Sequence, residues 1–89
     1  MKVSVRNLTS NSGNEVSNQF EIRVKDKTYF QSYETIIACY DSKGLVLDKG
    51  ALDYSKTTSK YLFQWTRRTR KELEQGIKDK TIRVKNLNK

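Results

Sequence analysis

Eighty-nine residues are enough for one small domain, whose core removes roughly 60 to 65% of the unfolded chain's surface from water, and nine aromatics supply that core in a chain that is 31% charged. With no histidine, no proline and one cysteine, a disulfide framework, a Cys/His zinc site, a Ser-His-Asp triad and a Cys-His pair are excluded together. The net charge of +8 falls wholly in the last 34 residues, where eleven Lys and Arg face only Glu72, Glu74 and Asp79, while residues 1–55 balance seven against seven.

In chain order, residues 2–8 alternate apolar and polar and predict a strand with Val3 and Val5 on one face. Residues 9–18 are rich in Ser, Asn and Gly and predict a flexible loop. Gln19 to Lys25 predicts a half-buried strand, with Phe20, Ile22 and Val24 on one face and Glu21, Arg23 and Lys25 on the other. Asp26 and Lys27 turn the chain into a further strand, Thr28 to Tyr33, in which Tyr29, Gln31 and Tyr33 share a face. Thr35 to Tyr40 is β-branched and apolar on both faces, which suits a central strand covered on one side by a helix. Turns at residues 41–44 and 48–50 bracket a short strand, Leu45 to Leu47, and Ala51 to Tyr54 continues the meander.

Ser55 then offers an N-cap for a helix over Lys56 to Arg68, which buries Thr58, Tyr61, Leu62, Trp65 and Thr69. Thr69 and Glu72 match a capping box for a second, shorter helix that buries Leu73 and Ile77 and frays near Gly76. Thr81 to Leu87, where Ile82 and Val84 alternate with Arg83 and Lys85, closes the chain as a last strand. The expectation is one α+β domain over residues 1–89, a small antiparallel sheet packed by one longer and one short helix. No apolar run approaches the roughly 20 residues of a membrane helix, and the first residues lack a signal peptide's apolar stretch. A soluble cytoplasmic protein is expected.

The charge asymmetry favours an acidic partner, although Lys and Arg also serve simply to keep a protein dispersed. Lys56, Lys60 and Arg67 recur at helical spacing with Phe63 between them, and cations around a ring suit stacking on unpaired bases. The same pattern describes an ordinary solvated helix with Phe63 on a broad apolar face. Arg67, Arg68, Arg70 and Lys71 put four bases in five residues, where phosphates or an acidic groove can dock, or where the charges merely complement a helix dipole. Tyr29 and Tyr33, joined by Tyr40 or Tyr54, offer an aromatic platform, or cross-strand packing. Asp41, Asp48 and Asp53 fit turns and no calcium loop. Cys39 reads as a small buried residue, and the scattered glycines make no phosphate loop. Catalytic residues, metal and cofactor are therefore expected to be absent.

Phe20-Glu-Ile, Tyr29-Phe-Gln-Ser-Tyr-Glu-Thr-Ile-Ile-Ala38 and Asp53-Tyr-Ser-Lys-Thr-Thr-Ser-Lys-Tyr-Leu62, with the closing run from Glu72 to Ile82, resemble a family of small proteins encoded by phages and mobile elements of low-GC Gram-positive bacteria. The likeness covers most of residues 19–84; Leu52 stands where relatives tend to have an aromatic, and Thr66-Arg67-Arg68 replaces a more apolar ending. The resemblance implies a genomic setting, and with it an accessory acting on host machinery, including anti-CRISPR-like inhibitors of defence nucleases. Two functions are thus expected. One is a non-enzymatic blocker of a host nucleoprotein or defence complex, and the other a direct DNA- or RNA-binding protein using the same basic surface.

Overall fold

The computed structural model describes residues 2–88; Met1 and Lys89, the latter one of the C-terminal bases counted above, lie outside them. Five strands, β1 (Val3–Thr9), β2 (Glu15–Val24), β3 (Lys27–Ser32), β4 (Thr35–Asp41) and β5 (Gly44–Asp48), form an antiparallel meander in chain order. Helices α1 (Lys56–Thr66) and α2 (Arg70–Lys78) follow, and β6 (Arg83–Lys85) closes the six-stranded sheet parallel to β5. A parallel neighbour needs a crossover, and the two helices are that crossover. The fold is α+β, as the sequence predicts. Among the described residues no helix is long and apolar enough to cross a membrane.

Register fixes the two faces of the sheet. Arg6, Glu21, Phe30, Ala38 and Leu47 pair side by side across five strands. Trp65 of α1 lies over Phe30 and Tyr40, with ring centroids 5.7 and 5.1 Å apart, so this row faces the helices. A register shift at Phe30/Gln31 gives β4 an extra residue, Ile37, and Ile37 and Ala38 are both buried in the core with Leu8, Leu45, Leu47, Tyr61, Leu62, Leu73 and Ile82. The next row, Val5, Ile22, Tyr29, Cys39, Val46 and Arg83, faces away from them.

The outer strands carry their pattern inverted. Phe20, Ile22 and Val24 are the apolar side of β2, yet they share the face of Val5, which has no helix over it and leaves Val3 57% and Val5 59% exposed. The polar positions of β2 are the ones that α1 covers. Gln19 is 1% exposed, and Glu21 is buried under Trp65. Ser32, paired with Gln19, exchanges a hydrogen bond of 2.9 Å with Thr58 of α1.

Several boundaries differ from the sequence reading. The loop expected over residues 9–18 is confined to Ser10–Asn14, because Thr9 pairs with Glu15 and the Ser10 N–H donates to the Asn14 carbonyl. Ala51 to Tyr54 is a pair of turns rather than a strand, with Ala51 N–H bonded to Asp48 O and Asp53 N–H to Gly50 O. Helix α1 stops at Thr66, since Arg67 adopts φ +57° and donates its N–H to Phe63 O. Helix α2 does not fray at Gly76, which is buried against Ile82. In the last strand only Arg83–Lys85 pairs, and Val84 is exposed.

Candidate cationic binding site

Ser55 caps α1 by accepting the Thr58 N–H, and no acidic residue follows in the first turn. The outward stripe of α1 then meets the 50–54 turns and the start of α2 in a shallow groove of about 610 Å³, lined by Tyr54, Lys56, Ser59, Lys60, Phe63 and Arg70. Four of the residues the sequence singles out thus share one wall. Phe63 is half-buried, packing on the core with one side and lining the groove with the other. Lys56 and Lys60 have no acidic partner among the described residues. Lys60 Nζ lies 5.3 Å from the Tyr61 ring centroid, and Tyr54 donates its hydroxyl to Asp48. Arg70 is tethered, through Nη1 to Leu52 O at 3.0 Å and Nε to Glu74 at 3.2 Å. The groove is therefore two free ammonium groups and one fixed guanidinium around an aromatic floor.

Other residues expected in this patch lie elsewhere. Arg67 would continue the Lys56–Lys60–Phe63 stripe had the helix run on, but its left-handed cap turns it into a separate cleft with Arg6, Glu21, Gln64 and Trp65. Lys71 lies on the outer surface of α2 beside Glu74, Gln75 and Lys78. Arg68 is half-buried at the helix junction, where its charge helps hold the Glu72 carboxyl below the usual range after the Thr69 hydrogen bonds have done most of it. The tyrosine platform does not form. Tyr29 is half-buried on the helix-free face, Tyr40 packs on Trp65 beneath the helices, and Tyr33 sits in the β3–β4 turn at φ +55°.

The cleft beyond α1 is a cluster the sequence reading missed. Glu21 accepts from Trp65 Nε1 at 3.0 Å and Arg6 Nε at 2.9 Å, with Arg23 Nε 3.4 Å away. Burial works to raise this carboxyl's pKa, but the hydrogen bonds from Arg6 and Trp65 and the charges of Arg6 and Arg23 outweigh it and leave it lowered. Two guanidinium groups thus pair with one carboxylate, and Arg67 lines the same cleft as Arg6 and Glu21. Glu21 and Arg23, two apart on one strand, are a visible pair in the sequence; Arg6 joins them only through strand register.

The acidic residues have structural duties. Asp48, 5% exposed, accepts from Gly50 N–H, Tyr54 Oη, Leu87 N–H and Asn88 Nδ2. Asp41 is held by Arg83 Nη2 and the Lys43 N–H, which drop its pKa to about 2. Asp53 is exposed. Among the described residues no group of three or more Cys, Asp or Glu is placed to hold a metal ion.

No curated protein and no solved structure matches this chain. One family model does, over residues 3–83, nearly the whole of the sheet and both helices, and by that match the chain belongs to DUF8033, a family of unknown function.

Proposed function

We propose that this protein is a non-enzymatic accessory of a phage or mobile element that binds and blocks a host nucleoprotein or defence complex, in the manner of anti-CRISPR inhibitors. It docks through the groove on α1. The observation that carries this reading is the convergence of Lys56, Lys60, Phe63 and Arg70 on one wall, with both lysines unpaired among the described residues. Cations of this kind draw an acidic surface, and a half-buried ring supplies apolar contact once it arrives. The chain has no histidine, and Glu21, Asp41 and Asp48 are committed to hydrogen bonds within the fold, which supports binding rather than catalysis. The setting rests on the resemblance, and with it a location in the host cytoplasm.

A second reading, direct binding of single-stranded DNA or RNA, is favoured by one feature. The Phe63 ring lines one groove with two ammonium groups and a guanidinium, a combination on which an unpaired base can stack while its phosphates are neutralised. Fluorescence anisotropy of labelled oligonucleotides at about 50 and 200 mM salt separates the two. The comparison variant is Lys56→Glu with Lys60→Glu, exposed changes expected to leave the melting temperature within a few degrees. Binding that persists at the higher salt and is lost in the variant makes nucleic acid the ligand. No binding at the higher salt, with capture of a host nuclease complex by the wild type and not by the variant, makes it a protein. A variant as active as the wild type in both assays excludes the groove.

A further inference from the structure

The face of the sheet opposite the helices is apolar where it should be wet. From β1 to β4 it presents Val3, Val5, Phe20, Ile22, Tyr29 and Ile36, all exposed or half-buried, with Asn7 and Gln31 the polar members of the row that holds Phe20 and Ile36. An antiparallel sheet with one solvated face ordinarily turns its polar positions outward. Here the outer strands do the reverse, placing Gln19 and Glu21 beneath α1. Total accessible surface is 6189 Å², whereas a folded monomer of 10.4 kDa is expected to expose about 5,400 Å². The chain therefore leaves more surface open than a monomer of its mass ordinarily does.

We propose that this face is the interface of a homodimer, in which two copies pack sheet against sheet. Charge selects a second copy as the occupant. The chain carries +8, concentrated in the segment that holds the helices, so an acidic partner is drawn to the helical side. The open face is nearly neutral. Lys27 and Lys85 lie at its rims, the latter paired in register with Asp48, and Arg83 is balanced by Asp41. It is thus a surface on which two strongly basic molecules meet without opposing like charges. Stacked sheets lie about 10 Å apart, and each helical layer stands about another 10 Å beyond its sheet. The two cationic layers end up about 30 Å from each other, several Debye lengths at physiological salt. Both α1 grooves then face outward and stay open, so the proposal does not depend on what the groove binds.

Sedimentation velocity of the full chain, from about 1 to 200 μM protein at about 50 and 500 mM salt, tests it. The expected result is a dimer that tightens with salt, because screening removes the residual repulsion and leaves apolar burial intact. This is opposite in sign to polyanion binding. Ile22→Asp is expected to weaken the dimer on the order of a hundredfold by burying a charge at the interface. Val5→Asp, at an exposed position on β1, acts in the same direction without threatening the fold. A wild type that stays monomeric at the highest concentration and salt overturns the proposal and leaves the face to a different partner. A dimer that survives both substitutions overturns it as well, because another surface must then be responsible.

Discussion

A single carboxylate anchors the C-terminal segment. Asp48 meets four donors from two parts of the chain, the 50–54 turns and the C-terminal segment, among them Leu87 N–H at 2.9 Å and Asn88 Nδ2 at 3.1 Å. Asn88 in turn spans the backbone of Ile36, accepting its N–H at 2.7 Å and donating to its carbonyl at 2.8 Å, which serves β4 beyond the end of its pairing with β5. Asp48→Asn replaces one acceptor oxygen with a donor facing other donors, and is expected to cost about 2 to 3 kcal/mol, with hydrogen exchange at Leu87 rising more than at core amides. Burial works against the Asp48 carboxylate, but the hydrogen bonds from Leu87, Gly50, Tyr54 and Asn88 outweigh it and lower its pKa. Glu21 is lowered as well, and Asp41 falls to about 2. Groups whose folded pKa lies below the unfolded value stabilise the fold above that unfolded value, and the contribution is lost as pH falls through the folded one. Urea midpoints are therefore expected to hold between about pH 7 and 5 and then decline from about pH 4 toward 2. A midpoint at pH 3 equal to that at pH 7 would contradict these assignments.

Within the elements, local chemistry was legible wherever it stayed local. Thr69 accepts the Glu72 N–H while the Glu72 carboxylate accepts the Thr69 N–H at 2.9 Å, the capping box that the four-residue pattern announces. Thr69→Ala is expected to cost about 1 kcal/mol, read from thermal melts. Gly76 shows where such reading stops. A glycine near a helix end suggests a terminus, but here α2 continues to Lys78 because Ile82, six residues on, packs where a side chain would be. A Cβ at Gly76 would lie 2.7 Å from Ile82 Cγ1 and nearer still to Cδ1. Alanine's better helix propensity, about 1 kcal/mol, is therefore expected to be outweighed by overpacking of about 1 to 3 kcal/mol. Gly76→Ala combined with Ile82→Val, which removes Cδ1, is expected to be more stable than the two single losses sum to, and additive losses would show that the contact relaxes freely. The inverted strands were illegible for a related reason. Alternation in β2 is plain in the sequence, but which side meets a helix depends on α1, more than thirty residues later, and a one-residue change of register would exchange the faces.

Across the whole molecule, the charge asymmetry of the sequence is real but is not one patch. It divides around α1, with Lys56, Lys60 and Arg70 in one groove and Arg67 in a cleft shared with Arg6, next to the hollow where Arg6 and Arg23 flank Glu21, from a half of the chain whose charges cancel. Counting charge along the sequence found the first and hid the second, because Arg6 and Arg67 meet only through the fold. Eleven residues of helix span about 16 Å, so the two clefts are near enough for one extended polyanion to engage both. Each phosphate neutralised on a single strand contributes about −0.7 to the slope of log affinity against log salt. If an oligonucleotide is the ligand and crosses α1, Lys56→Gln with Lys60→Gln is expected to reduce the magnitude of that slope by about 1.4, and so is Arg6→Gln with Arg23→Gln, the four changes together adding. If it lies only in the groove, the lysine pair alone changes the slope and the arginine pair leaves it where it was. Isothermal titration at four salt concentrations distinguishes these results, because a loss of affinity without a loss of slope would mean that the residues support the fold rather than meet phosphate.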